Sequence, residues 1–220
     1  MSFKTIRNQA FLEFPTTQST ARTILAALLL ASIFTACTPL IDATRSTPIE
    51  EDYTKRTPGA VVDDEFIETK AAVNIKKVDS RFRNAQVKVK SYNGVVLLTG
   101  IVPESNMRDI ATSTVSKIRK VRRVHNELYE SPPRGFAARL ADSWLSRKIK
   151  TRLMFNRSIP SSRFKVVTHS GTVYLMGLSS ESLADNVVSA VKKVGGVQKI
   201  VRVFEYVDSY EANVFDGATN

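Results

Sequence analysis

Cysteine is nearly absent from this chain: Cys37 is the single one in 220 residues, and histidine is almost as scarce, with His125 and His169 alone. One thiol cannot form an internal disulfide, and a metal site built on Cys or His pairs has almost no ligands to draw on. Neither histidine has a His, Cys or carboxylate at the spacing of a metal pair, apart from Glu127 beside His125, and both lie on alternating stretches that predict strand surfaces. No glycine-rich phosphate loop of known spacing occurs. No nucleophile, base and orienting group fall together. The sequence therefore predicts no catalytic residue, no metal and no cofactor, and the protein is expected not to be an enzyme. Long apolar runs are missing too: the uncharged stretch from Thr23 to Ala36 has 14 residues, short of the roughly 17–25 that cross a bilayer. Acids are few, with 21 Asp and Glu against 32 Lys and Arg.

What the chain does have begins with that short apolar run. Lys4, Arg7 and Arg22 precede it against one acid, Glu13, and small residues close it before the break, which is the pattern of an export signal over residues 1–36. The end of the run, Phe34-Thr35-Ala36-Cys37, resembles the lipobox of bacterial lipoproteins, with Phe34 where Leu is usual. That resemblance implies cleavage before Cys37 and acylation of its thiol and of the new N-terminus, palmitate included. In that family the next residue directs sorting, Asp tending to keep the protein in the inner membrane, so Thr38 there implies the outer membrane. The alternatives are an ordinary signal peptide that leaves a free cysteine, and an uncleaved apolar anchor. Without residues 1–36 the chain carries 29 bases and 20 acids, a net charge of +9. An exported basic protein meets anionic lipid before nucleic acid, and no nucleic-acid partner is expected.

The body is one unit written twice. Lys88-Val89-Lys90-Ser91-Tyr92-Asn93-Gly94-Val95-Val96-Leu97-Leu98-Thr99-Gly100 aligns without gaps on Lys165-Val166-Val167-Thr168-His169-Ser170-Gly171-Thr172-Val173-Tyr174-Leu175-Met176-Gly177, at an offset of 77. In each copy β-rich residues flank Asn-Gly or Ser-Gly, where glycine supplies the positive φ of a tight hairpin. A helical stripe precedes each hairpin (Ile67, Ala71, Ile75; Leu145, Ile149, Leu153) and a second follows it (Met107, Ala111, Val115, Ile118; Ala184, Val187, Val191, Val194). An alternating strand closes each unit, Val124–Tyr129 and Ile200–Tyr206. The expected fold is α+β: two tandem αββαβ units, each a three-stranded sheet with one apolar face covered by two helices. Asp63-Asp64-Glu65 reads as a helix start, with its charge at the positive end of the dipole.

The hairpin glycine, the second glycine six residues later and the pairs Val121/Val124 and Val197/Ile200 resemble the BON domain. The resemblance covers about residues 63–207. A lipobox followed by two such units is similar to the dual-BON-domain outer-membrane lipoproteins, relatives of the osmotically induced periplasmic BON protein. It implies attachment to the periplasmic face of the outer membrane, phospholipid binding, support of envelope integrity, and no catalysis. The expected organisation is a signal peptide 1–36, a lipidated tether 37–62, a first BON domain 63–130, a linker and helix lead-in 131–141, a second BON domain 142–207 and a polar tail 208–220.

The helix expected over about 136–156 has a second face. With Trp144 set at zero on a helical wheel, Leu145, Ile149 and Leu153 centre near ~140°, while Phe155 falls at ~20°, Lys148 at ~40°, Thr151 at ~340° and Arg147 at ~300°. Trp prefers the headgroup level of a bilayer, and each nearby Lys or Arg contributes about 1 kcal/mol at an anionic surface. Trp144, Arg147, Lys148, Thr151 and Phe155 are the candidate membrane contacts; by the resemblance, Trp144 also matches the family's proposed contact. Two readings stay open: an anionic phospholipid membrane lies on this face, or Trp144 and Phe155 bury against the first unit. A second function, an adaptor docking an envelope assembly or protease partner through the BON faces, also fits.

The leader generates a direct test. Intact mass of the membrane-extracted protein is expected to show an acylated Cys37 as N-terminus, and an unmodified thiol there would contradict the anchor.

Overall fold

The computed structural model describes residues 55–207; the leader, Cys37, most of the segment read as a tether, and the tail lie outside the described residues. Helix α1 (Pro58–Val78) opens at Thr57, whose Oγ1 accepts from Ala60 N at 3.1 Å, with Pro58 in the first turn where its missing N–H costs nothing. The helix thus starts inside the stretch expected to be tether, so 58–62 are helical. A 3-10 turn (Ser80–Arg83) leads to β1 (Gln86–Tyr92), β2 (Val95–Val102), α2 (Met107–Ser116) and β3 (Arg123–Glu130). The order then repeats: α3 (Phe136–Met154), a 3-10 turn (Ser161–Arg163), β4 (Phe164–His169), β5 (Thr172–Ser179), α4 (Glu181–Lys192) and β6 (Lys199–Tyr206). Each sheet has three strands. The central strand pairs antiparallel with its hairpin partner and parallel with the last strand, in orders β1-β2-β3 and β4-β5-β6.

The helical stripes read from the sequence are the ones buried. Ile67, Ala71, Ile75, Met107, Ala111 and Val115 join Val96, Leu98, Val102 and Leu128 in one core. Leu145, Ile149, Leu153, Ala184, Val187 and Val191 join Val173, Leu175 and Phe204 in another. The hairpin turns have two residues each with φ positive throughout, 52° and 75° at Asn93-Gly94 and 50° and 70° at Ser170-Gly171, the backbone of a type I′ turn.

The expectation of one apolar face per sheet is corrected by a third core. All eight positions of β2 are buried, because alternate side chains point to opposite faces and both faces are covered. Tyr92, Val95 and Leu97 leave the helix side and pack with Val167, Tyr174, Met176, Leu178 and Val203 of the second repeat. The repeats therefore stack sheet to sheet as four layers: helices, sheet, sheet, helices. Polar bonds fix the stack at its rim. Tyr92 Oη donates to Arg163 O at 2.6 Å, Asn93 Nδ2 to Glu205 Oε2 at 3.1 Å, and Arg122 pairs with Glu205. Gln86 holds the linker at Arg134 through two bonds, of 3.0 and 3.2 Å. Burial, with Glu127 and Tyr129 of the first repeat nearby, pushes the Tyr174 phenol up to about 12.

Buried carboxylates tie helix to hairpin in both repeats. Asp64, read as part of a helix start, instead lies within α1, 1% exposed. It accepts from Asn93 N at 2.8 Å, Gly94 N at 3.0 Å, Ser91 Oγ at 2.6 Å and Arg56 Nη1 at 2.7 Å. Asp142 of α3 does the same for Ser170 N at 3.1 Å and Gly171 N at 3.3 Å, with Arg134 Nη1 at 2.5 Å. The turn N–H groups need acceptors once covered, and the Arg eight residues before each Asp balances its charge. Glu68 takes Lys165 of the other repeat at 2.8 Å, Lys90 at 2.5 Å and Ser91 N at 2.9 Å. Burial pushes all three carboxyls up, but these donors outweigh it and hold each below its ordinary value.

Acid stability follows. A carboxyl with a depressed folded pKa contributes stability that is complete above its unfolded value, near pH 4, and is lost as pH falls further. His169 is 5% exposed against Tyr129, at 5.7 Å between ring centroids. Burial, then Arg134 and Lys88, against Asp142, hold it below the usual imidazole value. The unfolded chain then takes up this proton first, so stability begins to fall below about pH 6.5. Urea unfolding is expected to be flat between about pH 7 and 9 and to weaken on acidification in these two stages. At pH 7 Asp142→Ala is expected to cost about 2–4 kcal/mol, since it orphans buried donors and Arg134. Equal stability of that variant would contradict the tie.

Candidate functional site

Helix α3 is amphipathic in two senses. Its inward side carries Asp142, Leu145, Ile149 and Leu153. Its outward side carries Phe136, Leu140, Trp144 and Met154, followed by Phe155 at the C-cap. Trp144 is 68% exposed and Phe155 77%; neither buries against the first repeat, which is occupied with the other face of its own sheet. Phe136, Leu140 and Trp144 step four residues apart and make one stripe. Phe136, Leu140 and Met154 were missed by the sequence reading, although the four-residue spacing leading up to Trp144 was visible.

All five sequence-derived residues, Trp144, Arg147, Lys148, Thr151 and Phe155, are exposed and stand on this side of α3. Two open clefts flank it and meet at Lys148, whose Nζ donates to Gly195 O at 3.2 Å. The first, of about 540 Å³, runs from Trp144 and Lys148 to the Ser170-Gly171 turn and the loop Gly195–Gln198. Its one acid, Asp142, is committed to the hairpin and to Arg134. The second, of about 840 Å³, is lined by Lys148, Thr151, Arg152 and Phe155, and by Arg157 and Lys193. None of the described residues lining it is acidic. Four cations and an exposed aromatic ring around a shallow cleft attract an anionic oxygen group next to an apolar phase. Arg157 and Lys193 were also missed: the first follows the helix, and the second ends α4 (Glu181–Lys192), which only the tertiary fold brings alongside α3.

On the first repeat a smaller cleft, of about 180 Å³, places the exposed Phe66 beside Lys70, Arg119 and Lys120, but with Asp63 in its lining. No three His, Cys, Asp or Glu side chains gather as metal ligands among the described residues. His125 and His169 lie on different sheets. Among the described residues no helix is long and apolar enough to cross a membrane.

Comparison with known proteins agrees with the repeated architecture. The BON domain pattern matches residues 63–129 and 141–208. The chain is 34% identical to the outer membrane lipoprotein DolP of Haemophilus influenzae over 185 residues, covering 84% of this chain and 96% of that one. It is 32% identical to a 21 kDa hemolysin of Actinobacillus pleuropneumoniae over 152 residues, 69% of this chain and 78% of the relative. It is 27% identical to osmotically-inducible protein Y of Escherichia coli K12 over 148 residues, 64% of this chain and 72% of that one.

Proposed function

The chain belongs to the BON domain family, and from that premise we propose that it is an envelope protein, anchored by an acylated Cys37 on the periplasmic face of the outer membrane, whose second repeat seats on anionic phospholipid through α3. The likeness to an outer membrane lipoprotein over nearly that protein's whole length supports the location. One observation carries the lipid contact: an exposed apolar stripe, the rings of Phe136, Trp144 and Phe155 with Leu140, bordered by Lys148, Arg152, Arg157 and Lys193 around a cleft with no acidic lining. Rings of this kind partition to the headgroup level. Four cations at about 1 kcal/mol each amount to roughly 4 kcal/mol toward an anionic surface. A lipid-modified N-terminus already retains the protein at the membrane, so the gain from α3 lies in orientation and in choice of lipid. Seating the protein where anionic lipid is dense is how it supports envelope integrity.

Flotation of the unacylated chain (Cys37→Ser, leader removed) with lipid vesicles tests the contact. Binding is expected to be stronger on anionic than on zwitterionic vesicles and to weaken as salt shortens the Debye length. Trp144→Glu is expected to lower it at least tenfold with folding intact, because the side chain is exposed. Arg157→Glu and Lys193→Glu are expected to lower it several-fold each. Unchanged binding by Trp144→Glu would overturn the assignment.

A further inference from the structure

Helix α1 carries an exposed stripe at the positions equivalent to those of α3: Val62, Phe66 and Val73 stand where α3 has Leu140, Trp144 and Thr151, and Phe66 is 60% exposed. The sheet-to-sheet stack puts α1 and α3 on opposite outer sides of the molecule. A bilayer that touches α3 therefore leaves the α1 stripe uncovered.

The charges around the α1 stripe differ from those around α3. Along the helix the acids Asp63 and Glu65 lie in the N-terminal half and the bases Lys70, Lys76 and Lys77 in the C-terminal half, while Arg119 and Lys120 border Phe66 from the loop after α2. Two carboxylates beside the apolar residues make this face less suited to an anionic membrane than that of α3, whereas a helix with an acidic first half and a basic second half complements itself when antiparallel. We propose that the α1 stripe is a self-association surface that takes α1 of a second copy of this chain.

The register follows from the sequence. Placing Phe66 opposite Val73 of the second copy puts the two-fold axis between Thr69 and Lys70. Glu65 then lies within two residues of Lys76 of the second copy, about 3 Å along the axis, and Asp63 within one residue of its Lys77, about 1.5 Å. Glu65 and Lys76 share one flank of the stripe and Asp63 and Lys77 the other, and the two-fold matches like flanks. Every contact occurs twice, as an isologous interface requires. Thr69, small and exposed, stands beside the axis and lets the helices approach. Two features limit the affinity: Asp63 is shared with Lys120 at 2.6 Å, and Lys70 faces its own copy across the axis. One helix pair also falls short of the roughly 800 Å² per partner of a standard interface. The pair is therefore weak in dilute solution and favoured where the chain is concentrated on a membrane. Because α1 and α3 face opposite ways, one copy of such a pair at most can lay α3 on a given bilayer.

Photo-crosslinking of the full chain in the membranes of producing cells tests this. Benzoylphenylalanine at position 73 is expected to give a homodimer whose linked peptide contains Phe66. In that background Phe66→Glu is expected to cut the homodimer at least tenfold, and Glu65→Lys or Lys76→Glu alone several-fold. The double reversal Glu65→Lys with Lys76→Glu is expected to return it to within twofold of the parent. Absence of a homodimer, a crosslink to another protein in its place, or failure of the double reversal to restore the yield would overturn the proposal. None of these outcomes depends on vesicle binding through Trp144.

Discussion

The packing of one sheet on the other is the contact on which the rest of this molecule depends. Tyr92, Val95 and Leu97 from the first repeat and Tyr174, Met176 and Leu178 from the second form an apolar layer that neither repeat can cover alone. Each of these side chains contributes about 1.5–3 kcal/mol when removed from water. A unit of this size has little surface to spare for burial, so the shared layer makes the second repeat part of the first one's core. Lys165 reaching Glu68, and Tyr92 reaching Arg163, set the orientation of the stack. The consequence is directional. With both sheet faces consumed, the four helices are left as the outer layers, and α1 and α3 are the two that carry exposed aromatic side chains.

Duplication explains what the two halves share, and divergence explains what they do. The Arg-to-Asp-to-hairpin tie recurs intact, Arg56 and Asp64 holding Asn93-Gly94, Arg134 and Asp142 holding Ser170-Gly171. That tie is internal and belongs to the scaffold. The outward positions differ. On α3 the stripe carries Trp144 and Phe155 and a cleft bordered by Lys148, Arg152, Arg157 and Lys193. On α1 it carries Phe66 and Val73 with charges of both signs.

Much of this was legible in the sequence. The period of 77, the hairpin glycines and the four-residue stripes fixed each αββαβ unit, because they record local geometry and the burial of one helical side. The second apolar face of the sheets was not read, although Leu97 and Tyr174 sit in the expected alternation. Such residues in a central strand are equally consistent with a wet face or a dry one until a partner is known. Asp64 was misread for a related reason: a carboxylate near a helix start is ordinary, and its receptor, the Asn93-Gly94 turn, lies some 30 residues away in sequence. Trp144, Lys148 and Phe155 were found from the wheel, while Arg157 and Lys193 needed the tertiary approach of α4 to α3.

The central claim is that the outward face of α3 enters the headgroup region of an anionic bilayer. Trp144 is the one tryptophan of the chain, so its fluorescence reports on that face alone. On adding anionic vesicles its emission is expected to shift to the blue, and lipids brominated near the glycerol end of the acyl chain are expected to quench it more than lipids brominated near the terminal methyl. An emission spectrum that stays unchanged at saturating lipid, or that no brominated lipid quenches, would contradict the account.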